Sequence, residues 1–333
     1  MKTTSFILLL AVVLTACAPA PTPTPTPTPV PPTATPIPPT ATPTPSPVPP
    51  TATVPPTATV PPPSPAQSSF QNILVYDMPE MYQVKVKTLE FQTLHQPPEM
   101  LAMDVYYPPD WQPGSALPAV LMANSFPLTA EFGKCGRNCW GFPSWGRLIA
   151  ANGLIAVTYD SKYPNDLEAL AEHVRANAAD LGIDGNRLGV MGVSSHAALA
   201  ESFAYQENRD YVIFGVFYYG YLLTPDNYMR EDINTADKQM GGYYAELPDV
   251  KQLRADLPVL VVRCGNDWYL NQQPVDHFVQ LAEKAGVPLT LIRFEEGSHA
   301  FDTLEASTGQ VRVKAIEIVK QTLEFMKAHA SGE

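Results

Sequence analysis

Ser194, Asp267 and His299 follow one another in the chain in an order suited to one kind of chemistry. A serine hydroxyl becomes nucleophilic at neutral pH only when a base takes its proton, and imidazole titrates in the right range for that step. A carboxylate then fixes the imidazole tautomer and stabilises its cation. Ser194 stands in Gly192-Val193-Ser194-Ser195-His196. A serine on a sharp strand-to-helix turn needs small neighbours two residues away on either side, because the backbone reverses tightly there. Gly192 meets that need and His196 does not. Moving the nucleophile to Ser195 puts branched Val193 before it, which is worse, so Ser194 is the expected nucleophile. A Gly-x-Ser alone equally describes a turn serine that caps a helix. The later Asp267 and His299 tip the reading towards catalysis.

The elements around these residues explain how they could converge. Short apolar runs at 82–93, 101–107, 119–123, 155–159, 188–193, 212–219, 259–264 and 289–294 read as strands, most of them apolar throughout. Helical spacing fills the gaps, as in Leu167, Leu170, Ala171, Val174, Ala178 and Leu181, or in the last stretch from Val311 to Met326. Strands that alternate with helices and are apolar on both faces predict an α/β protein with a mostly parallel, doubly covered sheet of about eight strands. The first two strands are close enough in sequence to be antiparallel. In open sheets of this type ligands bind beyond the carboxyl ends of the strands. Ser194, Asp267 and His299 each stand just beyond such an end.

With these motifs in place, residues 82–329 resemble the α/β-hydrolase superfamily, and most closely its dienelactone-hydrolase-like and small esterase branch. The resemblance rests on residues 101–109 (LAMDVYYPP), on the helix-loop-strand-turn unit at 181–200 (LGIDGNRLGVMGVSSHAALA) and on 297–301 (GSHAF). It implies the α/β-hydrolase fold, with Ser194 as nucleophile, His299 as general base and Asp267 as its orienting acid. The oxyanion donors it implies are the Ser195 N–H and a backbone N–H of Ser125 or Phe126. At that second position the family has His-Gly where this chain has Asn124-Ser125-Phe126, and His196 replaces the usual glycine after the nucleophile. His196 either packs on the helix or borders the pocket. Residues 218–253 exceed a simple connection and hold six tyrosines. In this superfamily an insertion after the sixth strand often forms a lid, which makes Tyr221 a candidate pocket wall, with some of these tyrosines in the core instead. Trp268, next to the acid, is another wall candidate, with Trp140 and Trp145 as rim aromatics.

Cys135 and Cys139 flank three residues in the loop after the oxyanion segment, and in an exported protein a local disulfide is expected. A zinc site there would lack further ligands, and no metal or cofactor is expected. Cys264 lies inside an apolar strand and reads as unpaired core. His95, His173, His277 and His329 have no evident partners and read as surface or helix residues.

The amino-terminal part differs in kind. Of the 49 residues at 18–66, 22 are proline and 13 threonine, and none is charged. Such a segment buries too little to offset its ordering entropy, and proline favours an extended polyproline II spacer. At about 3.1 Å per residue it would reach on the order of 150 Å. A ligand for proline-binding modules and a carrier of O-linked sugars are alternative uses of the same composition. Before it, Lys2, an apolar run at 6–14 and Leu14-Thr15-Ala16-Cys17 form an export segment too short to span a bilayer as a mature helix. Its end resembles the bacterial lipoprotein signal, which implies acylation of Cys17, a membrane partner and an extracytoplasmic location; an ordinary cleaved secretory peptide is the alternative. The expected division is thus 1–16 signal, 17–66 acylated cysteine and stalk, 67–333 hydrolase domain. That domain carries 20 basic and 33 acidic residues, which argues against nucleic acid as a partner. Two functional classes follow. One is a tethered serine hydrolase cleaving small or medium esters; the other is a hydrolase fold retained as a binding module with weakened catalysis.

Overall fold

The computed structural model describes residues 70–332. The signal, Cys17 and the proline-rich segment lie outside the described residues. The sheet is built from β1 (Lys85–Gln92), β2 (Met100–Tyr107), β3 (Leu117–Met122), β4 (Ile155–Tyr159), β5 (Ile183–Val193), β6 (Val212–Tyr218), β7 (Val259–Cys264) and β8 (Leu289–Phe294). Their spatial order is β1-β2-β4-β3-β5-β6-β7-β8. β1 pairs antiparallel with β2, and β2 with β4. All remaining pairs are parallel. The eight strands fall on the predicted apolar runs, with two shifts. β5 begins at Ile183, ahead of its run at 188–193. Residues 79–83 form a 3-10 turn started by Pro79, and the first strand begins only at Lys85.

The connecting helices are α1 (Phe142–Ala151), α2 (Asp166–Ala176), α3 (Ala178–Leu181), α4 (His196–Ala204), α5 (Arg230–Met240), α6 (Gln273–Ala285) and α7 (Gly309–Ser331). The periodic stretch at 167–181 is two helices rather than one. Its break is Asn177, whose side-chain amide donates to the His173 carbonyl at 2.8 Å and competes with the helix ladder. Successive strand residues face opposite layers, as the two-residue period requires. Leu121, Val190 and Phe217 pack with α2, α4 and α6. Val120, Met191 and Val216 pack with α1 and α7. This sheet buries both faces, which is why its strands read as unbroken apolar runs. Among the described residues no helix is long and apolar enough to cross a membrane.

Candidate active site

Three loops at the carboxyl end of the sheet bring the expected residues together. Ser194 follows β5 with φ of 54°, in the left-handed region that an L-residue occupies only at a cost. The turn is held by Ser194 N–H donating to the Tyr218 carbonyl at 2.9 Å and by Ala197 N–H donating to the Ser194 carbonyl at 3.0 Å. Glycines make room for it. A Cβ at Gly192 would sit 2.3 Å from the His196 carbonyl oxygen, and one at Gly220 2.1 Å from the Ser194 carbonyl oxygen. Gly220→Ala is therefore expected to displace the turn at a cost of about 1–3 kcal/mol. A falling urea midpoint together with lost reactivity of Ser194 towards a fluorophosphonate would show it; unchanged reactivity would contradict this account of the turn.

Ser194 Oγ lies 2.8 Å from His299 Nε2, and His299 Nδ1 lies 2.9 Å from Asp267 Oδ2. Asp267 has its own anchors. Its Oδ1 accepts the N–H groups of Tyr269 and Leu270, both at 2.9 Å, and Gln272 Nε2 reaches Oδ2 at 3.3 Å. With Oδ1 occupied, Oδ2 is the oxygen turned towards the imidazole. The arrangement supplies a serine hydroxyl, a base in contact with it and an anion that fixes the base.

The oxyanion segment departs from expectation at Ser125. Its N–H donates to His196 Nδ1 at 2.8 Å, and its Oγ lies 2.8 Å from the same nitrogen. That backbone donor is already committed to the imidazole and does not face a substrate. A backbone N–H can only donate, so Nδ1 is an acceptor and the neutral ring carries its proton on Nε2. His196 is 3 % exposed, and burial pushes its pKa down to about 3. It is wedged between Phe126 and Phe142, with ring centroids 5.3 and 5.1 Å away. Its place is therefore behind the oxyanion segment, at the edge of the cavity, rather than on the helix surface. Asn124 is pinned beside it: its side-chain amide donates to the Tyr159 carbonyl at 3.2 Å, and its carbonyl accepts the Tyr243 hydroxyl at 2.5 Å. Two N–H groups remain for an oxyanion. Phe126 N–H makes only a long 3.3 Å contact with the Asn124 side chain of its own turn. Ser195 N–H has no protein acceptor among the described residues.

Above Ser194 opens a cavity of about 760 Å³ that Trp268 also lines. Tyr221 does not line it; its ring is buried in the core against Tyr244, centroids 6.1 Å apart. The insertion after β6 contributes Met240 to the cavity, while Tyr243 and Tyr244 point inward. Trp145 likewise is buried floor rather than rim, at 1 % exposure. Cys135 and Cys139 are joined by a disulfide with Cα atoms 4.9 Å apart, and Cys264 is a buried free thiol. Two histidines that looked unpartnered do face carboxylates at 2.8 Å, His95 with Asp166 and His277 with Asp226.

His299 is supported from behind by residues that no sequence motif singles out. The Tyr219 ring packs on the imidazole with centroids 5.0 Å apart. Buried Asp302 accepts the Tyr219 hydroxyl at 2.6 Å and the Trp145 indole N–H at 2.7 Å. Burial pushes the Asp302 carboxyl up, and these two donors pull it back towards the ionised form. The segment entering the domain joins in: Val75 N–H donates to the Asp302 carbonyl at 2.7 Å, and Leu304 N–H to the Ile73 carbonyl at 2.8 Å. Asp302 follows the GSHAF motif directly, a faint signal with no meaning until Tyr219 and Trp145 are seen beside it. Among the described residues seven non-glycines have positive φ, and four of them line this cavity: Trp140, Ser194, Tyr219 and Ala300. Such strain persists where packing over-determines it, which is common at functional sites.

Strand order, helix layering and the loops that converge on Ser194 define an α/β-hydrolase fold. A family model described as the dienelactone hydrolase family matches residues 150–330, more than half the chain and all of Ser194, Asp267 and His299. The chain belongs to the dienelactone hydrolase family, and through it to the carboxylic ester hydrolases. Among solved structures it is similar to esterase 2 of the planctomycete Thermogutta terrifontis. The propionate-bound form matches with a TM-score of 0.54 at 17% identity, over 74% of this chain and 96% of that one. The native form matches with 0.53 at 18% identity, over 74% and 93%. The form phosphorylated by paraoxon matches with 0.52 at 17%, over 74% and 95%. A comparison with curated proteins finds no match.

Proposed function

We propose that the protein is a surface-tethered serine carboxylesterase working through an acyl-enzyme. The observation that carries this reading is the continuous relay from Ser194 Oγ through His299 to Asp267, with contacts of 2.8 and 2.9 Å. Ser194 Oγ attacks the ester carbonyl carbon while His299 Nε2 takes its proton, and the carbonyl π electrons move onto oxygen. The Ser195 and Phe126 N–H groups face that developing charge; one such donor is typically worth about 2.7–4 kcal/mol. Collapse expels the alcohol, which receives the proton from His299, and leaves an acyl-Ser194 ester. Water then attacks, giving its proton to His299. The second collapse releases the acid and returns the proton to Ser194. Asp267 holds Nδ1–H throughout and stabilises the cation without itself being protonated.

Tethering belongs to the same reading. It is supported by the apolar run closed by Leu14-Thr15-Ala16-Cys17 and the chargeless spacer after it. Several acyl chains on Cys17 would make a stable anchor, at roughly 0.8 kcal/mol per buried methylene.

A fluorophosphonate probe tests the chemistry. We expect one covalent adduct per chain on the peptide containing Ser194, and none in Ser194→Ala. Absence of labelling in the wild type, or labelling that survives the substitution, would overturn the proposal. For the tether, metabolic labelling with an alkynyl fatty acid should mark the full chain and not Cys17→Ser.

A further inference from the structure

Twelve large apolar side chains are exposed on the described surface, and five of them (Phe132, Trp140, Trp268, Tyr269 and Leu304) line the one cavity above Ser194. Scattered exposed apolar residues need no explanation, but a cluster of this kind marks a contact surface. Part of it is organised. Phe132 and Trp140 stack with centroids 6.0 Å apart and planes 19° apart, and Phe126 continues the row at 5.9 Å from Phe132. The row thus runs from the oxyanion segment out to the mouth. Trp140 is 54 % exposed and Phe132 40 %, so neither is ordinary core packing. Trp140 is also held at φ of 52°, immediately after the Cys139 that is disulfide-bonded to Cys135. A strained backbone next to a cross-link presents a flat apolar face to the solvent side of the site.

Charge completes the picture. Among the described residues lining the cavity there is no lysine or arginine, whereas Asp302 and Glu305 are present. A carboxylate carried into this space would lose hydration without gaining a cationic partner.

Resting on the esterase reading, we infer that the substrate is an uncharged ester with a planar aromatic group, laid on the Phe126–Phe132–Trp140 row, and that carboxylate-bearing esters are rejected. Stacking places the ring, and the oxyanion donors at the inner end of the row place the carbonyl over Ser194.

Dimethyl terephthalate and monomethyl terephthalate differ in one charge and share the ester, the ring and the leaving alcohol. With the full chain at low salt we expect kcat/KM for the neutral diester to exceed that for the monoester at least tenfold. Trp140→Ala should raise KM for dimethyl terephthalate about 3–10-fold, the range of an aromatic stacking contact, with kcat changed less than twofold and a clearly smaller rise in KM for methyl hexanoate. Cleavage of the monoester within threefold of the diester would overturn the charge selection. Equal loss on both neutral esters in Trp140→Ala would overturn the stacking role. Fluorophosphonate labelling separates the two levels. An adduct on Ser194 without the expected preference refutes the substrate class alone, whereas no adduct and no hydrolysis refute the esterase reading beneath it.

Discussion

Replacing His299 by alanine is expected to lower kcat for an ester substrate by roughly 10⁶, and adding Asp267→Asn to that variant to cost less than a further tenfold. Without the imidazole that touches Ser194 Oγ at 2.8 Å, no other base contacts the hydroxyl among the described residues, so the carboxylate has nothing left to orient. Asp267→Asn alone should cost about 10⁴, for a reason specific to this site. The Oδ1 position accepts two backbone N–H groups, from Tyr269 and Leu270. An asparagine would keep its carbonyl oxygen there and turn its amide NH₂ towards His299 Nδ1. The imidazole would then accept at Nδ1 and carry its proton on Nε2, presenting Ser194 with a donor instead of a base. Steady-state kinetics on the three variants, with urea midpoints to verify folding, measure this. An Asp267→Asn enzyme within tenfold of wild type would remove Asp267 from the relay, and additive losses in the double variant would mean the residues do not act as a unit.

His196 carries the second large effect. Its Nδ1 holds the Ser125 N–H at 2.8 Å and so sets the course of the chain through Phe126, whose N–H is one of the two proposed oxyanion donors. His196→Phe keeps a ring in the aromatic cage but removes the acceptor. The Ser125 N–H is then buried and unpaired, a cost of about 1–3 kcal/mol. Displacing the neighbouring donor should lower kcat about 10²–10³-fold with little change in KM. His196→Asn places an acceptor oxygen where Nδ1 stands and should recover most of kcat. Equal losses in kcat and KM, or no rescue by asparagine, would reduce His196 to packing alone.

The same residue predicts an acid sensitivity. Folded His196 titrates at about 3 against an ordinary value of 6.5, so between those values the unfolded chain binds a proton that the folded protein refuses. Stability therefore rises with pH across that window and falls as pH is lowered through it. The loss from this group is about 3 kcal/mol at pH 4. The wild-type urea midpoint should drop between pH 7 and pH 4 by more than that of His196→Asn, which has no such group to protonate. Parallel pH profiles for the two proteins would contradict a buried neutral imidazole.

The strands, their layering and the three convergent loops were legible in the sequence because their causes are local. Apolar runs of five or six residues, helical spacing between them, and a glycine at 192 that alone fits beneath the His196 carbonyl are properties of short segments. The order Ser194, Asp267, His299 needed only the expectation that sites form beyond strand ends. Tertiary structure decided what surrounds them. Ser125 looked like an oxyanion donor until His196, 71 positions away, was seen to hold its N–H. Tyr221 looked like a wall and turned out to be core, while Tyr219 proved to back the His299 ring directly, held in place by an Asp302 that lies 83 positions from it. A side-chain hydrogen bond between distant segments depends on which atoms folding places within 3 Å, and residue type alone leaves that open. Sequence by itself determined the order Ser194, Asp267, His299 and the sheet that displays these residues. The commitment of each donor and acceptor around the site was set only by packing, because each polar group there can be satisfied by several partners and the fold selects one.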